Sequence, residues 1–266
     1  METKIACAQF VPHSGDTDAN LDRMASLCEQ TDDSELVIFP ELAITGYLAP
    51  PDMAHIAEPL QGPLFARLRE IAGDTGRAVA TGFAEKDVGT GNRHNTLVVV
   101  DSDGNLVLRY RKTHLWRGEE LWAEPGTRFP VAICGQNVIG GWICYDTRFP
   151  EVARLVALAG AQTAVVASAW LGPASEWELA VRSRAMDNNM FVAAAALQGH
   201  APDGSPFRGG SLIVGPSGEV LASAEEGTET VISAVIDLSE IIRRRERMML
   251  LRDRRVSLYG DISRPI

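Results

Sequence analysis

Along the chain, short apolar or alternating runs recur between stretches whose apolar residues fall three and four positions apart. The first pattern predicts strands at KIACAQF, ELVIFP, RAVATGFAE, HNTLVVVD, LVLRYRK, NVIGGWIC, QTAVVASAW, MFVAAAAL, GGSLIVG and TVISAVIDL. The second predicts helices over residues 19–31, 62–75, 148–160, 175–188 and 238–250. DSDGN at 101–105 and GPSGEV at 215–220 read as turns joining neighbouring strands, with glycine supplying the positive φ. Strands and helices in alternation, with added hairpins, predict an α/β sandwich of mixed sheets covered by helices. No linker, repeat or low-complexity tract interrupts the pattern, so residues 1–266 read as a single domain.

Sheets of this kind bind ligands beyond the carboxyl ends of their strands. Three reactive residue types fall at such ends: Glu41 after ELVIFP, Lys112 after LVLRYR, and Cys144 closing NVIGGWI. The order strand, cysteine, helix is that of a nucleophile elbow, although the G-x-S-x-G pattern is absent. A helix beginning near Phe149 points its positive end roughly toward Cys144. That dipole and a nearby lysine are both expected to lower the thiol pKa.

A thiolate, a carboxylate and an ammonium group in one pocket suit acyl transfer. Cys144 would attack an electrophilic carbon and form a thioester. Glu41 would carry the thiol proton to the departing nitrogen and later activate water, provided burial raises its pKa toward neutrality. Lys112, helped by the backbone N–H of Tyr145, would stabilise the oxyanion, where one such donor is worth about 3 kcal/mol. His114 is the rival base, because Cys-His pairs commonly activate a thiol and it shares a strand face with Lys112. A structural or pocket-wall role for it is preferred.

Composition narrows the partners. A formal net charge of -10 argues against nucleic acid, whose binding rests on lysine and arginine neutralising phosphates. The basic run RRRERMMLLRDRR near the end of the sequence reads as a solvated helix face or an interface tail. Cys7, Cys28, Cys134 and Cys144 have no metal-ligand spacing, so no metal site is expected. Cys144 apart, they read as packing residues. No apolar run approaches the roughly 20 residues of a membrane span, and METKIACAQF lacks a cleavage signal, so no membrane partner and a cytoplasmic location are expected.

The segments FPELAITGY, YRKTHLWRGEELWAEPG and GGWICYDTRFPE together resemble the nitrilase superfamily of carbon–nitrogen hydrolases, whose signature is a Glu-Lys-Cys triad. The similarity continues through SAW, RSRAMDNNMFV, FRGGSLIVGPSGEVL and RDRRVSLYG. It implies a four-layer αββα sandwich whose protomers pair into an eight-layer αββα-αββα assembly, with no metal or organic cofactor. It also implies a second glutamate after the lysine; Glu119 is preferred over Glu120, to hold Lys112 and position substrate or water.

Within the superfamily CYDTRFPE looks like the amidase-type branches, which implies hydrolysis of a small, aliphatic primary amide. Tyr47, Trp116, Tyr145 and Trp170 are the candidate pocket walls. An ω-amidase acting on dicarboxylate monoamides is the alternative, and would need a cation such as Arg148 or Arg208 for the distal carboxylate. Hydrolysis of a nitrile or an N-carbamoyl amine uses the same thiol. A metabolite-binding protein on an inactive scaffold is the non-enzyme reading; chemically competent residues at all three triad positions oppose it. EIIRRRERMMLL and the tail from about 250 to 266 are expected at the interface of a homodimer or larger assembly.

Overall fold

The structure is a computed structural model that describes residues 1–31 and 33–264. The first half runs β1 (Glu2–Gln9), α1 (Thr17–Glu29), β2 (Leu36–Ile38), α2 (Pro50–Ile56), α3 (Pro63–Thr75), β3 (Ala78–Lys86), β4 (Arg93–Val100) and β5 (Leu106–Arg111). The second runs β6 (Val131–Cys134), β7 (Asn137–Ile143), α4 (Pro150–Leu158), β8 (Thr163–Ser168), α5 (Ala174–Asn188) and β9 (Phe191–Ala196). It continues through β10 (Gln198–His200), β11 (Pro206–Arg208), β12 (Leu212–Val214), β13 (Val220–Ser223), β14 (Thr230–Asp237) and α6 (Leu238–Arg247).

Two six-stranded mixed sheets result, one ordered β14-β1-β2-β3-β4-β5 and the other β13-β12-β9-β8-β7-β6. Strands β1 to β3 are mutually parallel, as are β7 to β9, and the remaining pairings are antiparallel. Alternation along β1 shows how the layers stack. Ile5 and Cys7 join a cluster with Ile139, Val165 and Ala194 of the other sheet, whereas Ala6 and Ala8 pack with Leu21, Met24, Leu68 and Ile71 of α1 and α3. Helices α4 and α5 cover the second sheet through Val152, Val156, Val181 and Ala185. The layers are therefore helix, sheet, sheet, helix. Among the described residues no helix is long and apolar enough to cross a membrane.

Four features depart from the pattern read in the sequence. The helix expected from 148 starts at Pro150, where the missing N–H costs nothing, and Cys144–Arg148 instead forms a 3-10 turn. The helix expected to reach 250 ends at Arg247. Helix α2 opens on Pro50 and Pro51, a pair that reads as a turn but is tolerated in a first helical turn. The short strands β6, β10, β11 and β13 carry too few residues for a period to show, and β6 and β13 are sheet edges.

Candidate active site

Strand direction gathers the reactive residues on one rim. Because β4 is antiparallel to both neighbours, β5 ends at the same edge as β2 and β3, and β7 and β8 end against it from the second sheet. Glu41 lies in the turn after β2, Lys112 directly after β5, and Cys144 directly after β7. Gly82 on β3 makes the first of these placements feasible. A Cβ there would lie 2.5 Å from Leu42 N and 2.8 Å from the Glu41 Cα, so only glycine lets the turn sit this close to the strand. Two non-glycine residues of the rim adopt positive φ, Leu42 at 52° and Cys144 at 43°. A left-handed backbone at a side-chain-bearing residue costs on the order of 1 kcal/mol, and such strain concentrates at functional sites.

Buried carboxylates and one cation form the centre. Lys112 Nζ lies 2.8 Å from Glu41 Oε1 and 2.7 Å from Glu119 Oε2, and the three side chains are 0%, 1% and 2% exposed. Glu120, the neighbour of Glu119, faces solvent. Asn95 Nδ2 donates to both carboxylates, at 2.7 Å to Glu41 Oε1 and 3.0 Å to Glu119 Oε1. The Ala169 N–H donates to Glu41 Oε2 at 2.8 Å, and the Trp116 N–H to Glu119 Oε2 at 2.6 Å.

Charge balance follows from this arrangement. One ammonium against two carboxylates leaves the buried set one negative charge in excess. Burial raises the Glu41 pKa above the ordinary carboxylate value, with Lys112 opposing and Glu119 adding to the rise. Burial alone would lower the Lys112 pKa, but Glu119 and Glu41 outweigh it and keep the ammonium charged well above its ordinary range. The Cys144 thiol is pushed up by burial, then by Glu41, with Lys112 opposing. This corrects the expectation of a lowered thiol pKa: desolvation outweighs the cation, and the group is a thiol that needs a base.

A cavity of about 110 Å³ opens onto this centre and is lined by Lys112, Cys144, Ala169, Leu171, Gly172 and Arg148 together with Tyr47, Trp116, Tyr145 and Trp170. All four candidate wall aromatics thus face one space. Trp116 and Tyr145 meet edge to face at 4.8 Å, and Tyr47 also reaches Glu119 Oε1 at 3.4 Å. Arg148 lies over the Trp170 ring, 4.4 Å from its centroid, and pairs with Glu176 at 2.8 Å. Arg208 is placed elsewhere, in a more open hollow beyond Leu171 and Gly172, beside Glu226.

His114 does not line the cavity. It stacks on Phe149 with centroids 3.7 Å apart, and its Nδ1 lies 2.8 Å from Asp146 Oδ1. Asp146 is a residue the sequence reading passed over. Its fully buried carboxylate accepts from Tyr110 Oη, Thr113 Oγ1, the His114 N–H and the Ile143 N–H. It ties the segment after Lys112 to the turn that carries Cys144. Asn95 was also passed over, although a polar residue on the inner face of β4, in line with Leu97 and Val99, is the signal that marks it.

A profile of the carbon–nitrogen hydrolase family matches residues 4–246. A probable nitrilase from Schizosaccharomyces pombe is 34% identical over 273 residues, covering 100% of both chains. An (R)-stereoselective amidase from a Pseudomonas species is 34% identical over 261 residues, covering 97% of this chain and 93% of its own. Among solved structures, a glutamate-to-glutamine mutant of the amidase from Nesterenkonia sp. AN1 superimposes with a TM-score of 0.86 at 26% identity, over 97% of this chain and 96% of that one. It shows covalent addition of the acetamide moiety of fluoroacetamide at its active-site cysteine.

Proposed function

The chain belongs to the carbon–nitrogen hydrolase family and is a hydrolase of carbon–nitrogen bonds; from that premise we propose that it cleaves small aliphatic primary amides to carboxylate and ammonia through a thioester on Cys144. The observation that carries this reading is Lys112 Nζ held between Glu41 and Glu119 on the wall of the cavity that Cys144 also lines.

Each residue then has a task. Glu41, an unusually basic buried carboxylate, takes the proton from the Cys144 thiol as sulfur bonds to the amide carbon. Lys112 spends two of its three N–H bonds on the glutamates, and the third is available to the oxyanion alongside the Tyr145 N–H. Glu41 returns the proton to nitrogen, so the carbon–nitrogen bond breaks with ammonia leaving. Water, deprotonated by Glu41, then attacks the thioester and releases carboxylate and thiol. Glu119 holds Lys112 from the other side, and the aromatic walls exclude water and fit a compact acyl group. At about 110 Å³ the cavity suits an acyl group of only a few heavy atoms.

A second reading, an ω-amidase, is favoured by Arg148, a cation on the cavity wall that a distal carboxylate would meet. Ammonia release from matched panels of short aliphatic amides, dicarboxylate monoamides, carbamoyl amines and nitriles ranks the readings. The aliphatic amides are expected to give the highest kcat/KM. Faster turnover of the monoamides, lost in Arg148→Ala, would establish the second reading, and no turnover of any class would contradict both.

The protomers are proposed to pair through the face formed by α4, α5 and the tail. Leu155, Leu158, Tyr259 and Ile262 line a hollow of about 480 Å³ there, rimmed by Arg154, Arg184 and Arg254 together with Glu151 and Asp187. Carrying both charges on one rim suits a two-fold contact of the face with itself. Light scattering after size exclusion at micromolar protein is expected to give a dimer or a multiple of it; a monomer would count against the pairing.

A further inference from the structure

We infer that Asn95 is a positioning residue of the reaction, a neutral second bridge between Glu41 and Glu119 that holds Glu41 as an ionised base beside Cys144. The role rests on the proposed function, since it acts through Glu41.

The amide orientation is set by its neighbours. Two carboxylate oxygens lie 2.7 and 3.0 Å from Nδ2, and a carboxylate only accepts, so a donor must stand between them. The two hydrogens of the one NH₂ group serve the two glutamates. With Lys112 Nζ bridging the same pair, a closed ring of four side chains forms: Glu41, Lys112, Glu119, Asn95. The backbone completes the link, because the Lys112 N–H donates to the Asn95 carbonyl at 2.8 Å.

Packing does not account for this residue. Asn95 sits fully buried on the inner face of β4, in line with Leu97 and Val99 of the apolar core. Its Oδ1 is buried with no hydrogen-bond partner among the described residues. An unsatisfied buried acceptor is unfavourable and uncommon, and functional sites are where such groups persist. The fold carries it in exchange for two donations to the glutamates.

Charge explains why the bridge is an amide. A second cation here would neutralise the set and weaken Glu41 as a base, whereas an apolar residue would leave Lys112 as the one side chain bridging two buried carboxylates that repel each other. An amide holds their geometry and leaves the excess negative charge that draws the thiol proton. Burial raises the Glu41 pKa, and donation from Asn95 is among the contacts that restrain the rise. Removing that donor lets Glu41 hold a proton to higher pH.

The test compares wild type with Asn95→Ala and the isosteric Asn95→Asp in two pH profiles. One is kcat/KM on the amide that wild type cleaves fastest; the other is alkylation of Cys144 by iodoacetamide, followed by peptide mass, which needs no knowledge of the substrate. In Asn95→Ala the acid limb of both profiles is expected to move up by about half a pH unit or more. Its kcat is expected to fall about tenfold or more while KM changes little. Asn95→Asp is expected to be poorest at neutral pH and to recover toward acid, where the new carboxyl is protonated and donates again. An acid limb unchanged in either variant, with Tm showing it folded, would overturn the role while leaving the proposed function standing. A wild-type Cys144 that resists alkylation at every pH would overturn the proposed function and this role together.

Discussion

Cys144→Ala is expected to lose amide turnover by a factor on the order of 10⁴ or more, because alanine offers no nucleophile and the remaining donors only bind and polarise the substrate. The fold should survive the change. The thiol belongs to the buried core but also lines the cavity, so losing one sulfur atom enlarges an existing space instead of opening a separate void, and the strained backbone at φ 43° is no worse for alanine than for cysteine. Tm is expected to shift by no more than about 2 °C, measured by calorimetry beside the ammonia assay. Equal turnover by wild type and variant would show that carbon–nitrogen cleavage proceeds without this sulfur.

Lys112→Met is expected to damage stability and activity together. Methionine approximates the length of the buried stem but leaves Glu41 and Glu119 without the cation that lies 2.8 and 2.7 Å from them. Breaking a buried pair by removing one partner costs about 3–5 kcal/mol, since the other charge stays buried and uncompensated. At roughly 2–4 °C per kcal/mol for a chain of this size, Tm should fall by about 6 °C or more. The deficit has a predictable sign with pH. Protonation relieves the stranded carboxylates, so the loss of Tm should be smallest below the ordinary glutamate value of about 4.3 and grow as pH rises above it, until pH passes the raised folded-state pKa that burial gives Glu41. Turnover should fall by about 10²–10³ even where the variant is folded, from loss of the oxyanion donor. An unchanged Tm at neutral pH would contradict the ion-pair geometry.

The placement of Glu41, Lys112 and Cys144 on one rim was legible because each follows an apolar, strand-like run, and the edge where those strands end is where such a sheet places its ligands. Glu119 needed the family resemblance, and Gly118 with φ 85° and the 3-10 turn that follows settle which of two adjacent glutamates turns inward. The roles of Asn95 and Asp146 were not legible: the inner-face position of Asn95 is visible in the sequence, but its partners lie 24 and 54 positions away, and apart from the nearby Ile143 N–H the partners of Asp146 lie 32 to 36 positions away. The thiol was misjudged for a related reason. A helix N-terminus and a lysine can be inferred locally, but the helix starts only at Pro150, beyond the turn that holds Cys144, and burial of Cys144 depends on both sheets closing over it, with desolvation outweighing the lysine. Helix α2 escaped notice because Pro50 and Pro51 break a pattern before they can be seen to begin one.

The covalent step is open to one direct measurement. Wild-type enzyme mixed with a saturating amide, quenched in acid at times shorter than one turnover and resolved by intact mass and peptide mapping, is expected to show an acyl increment on the peptide carrying Cys144 that decays as carboxylate appears. Turnover with no increment at any time, in an enzyme that Cys144→Ala leaves active, would contradict a thioester at this site.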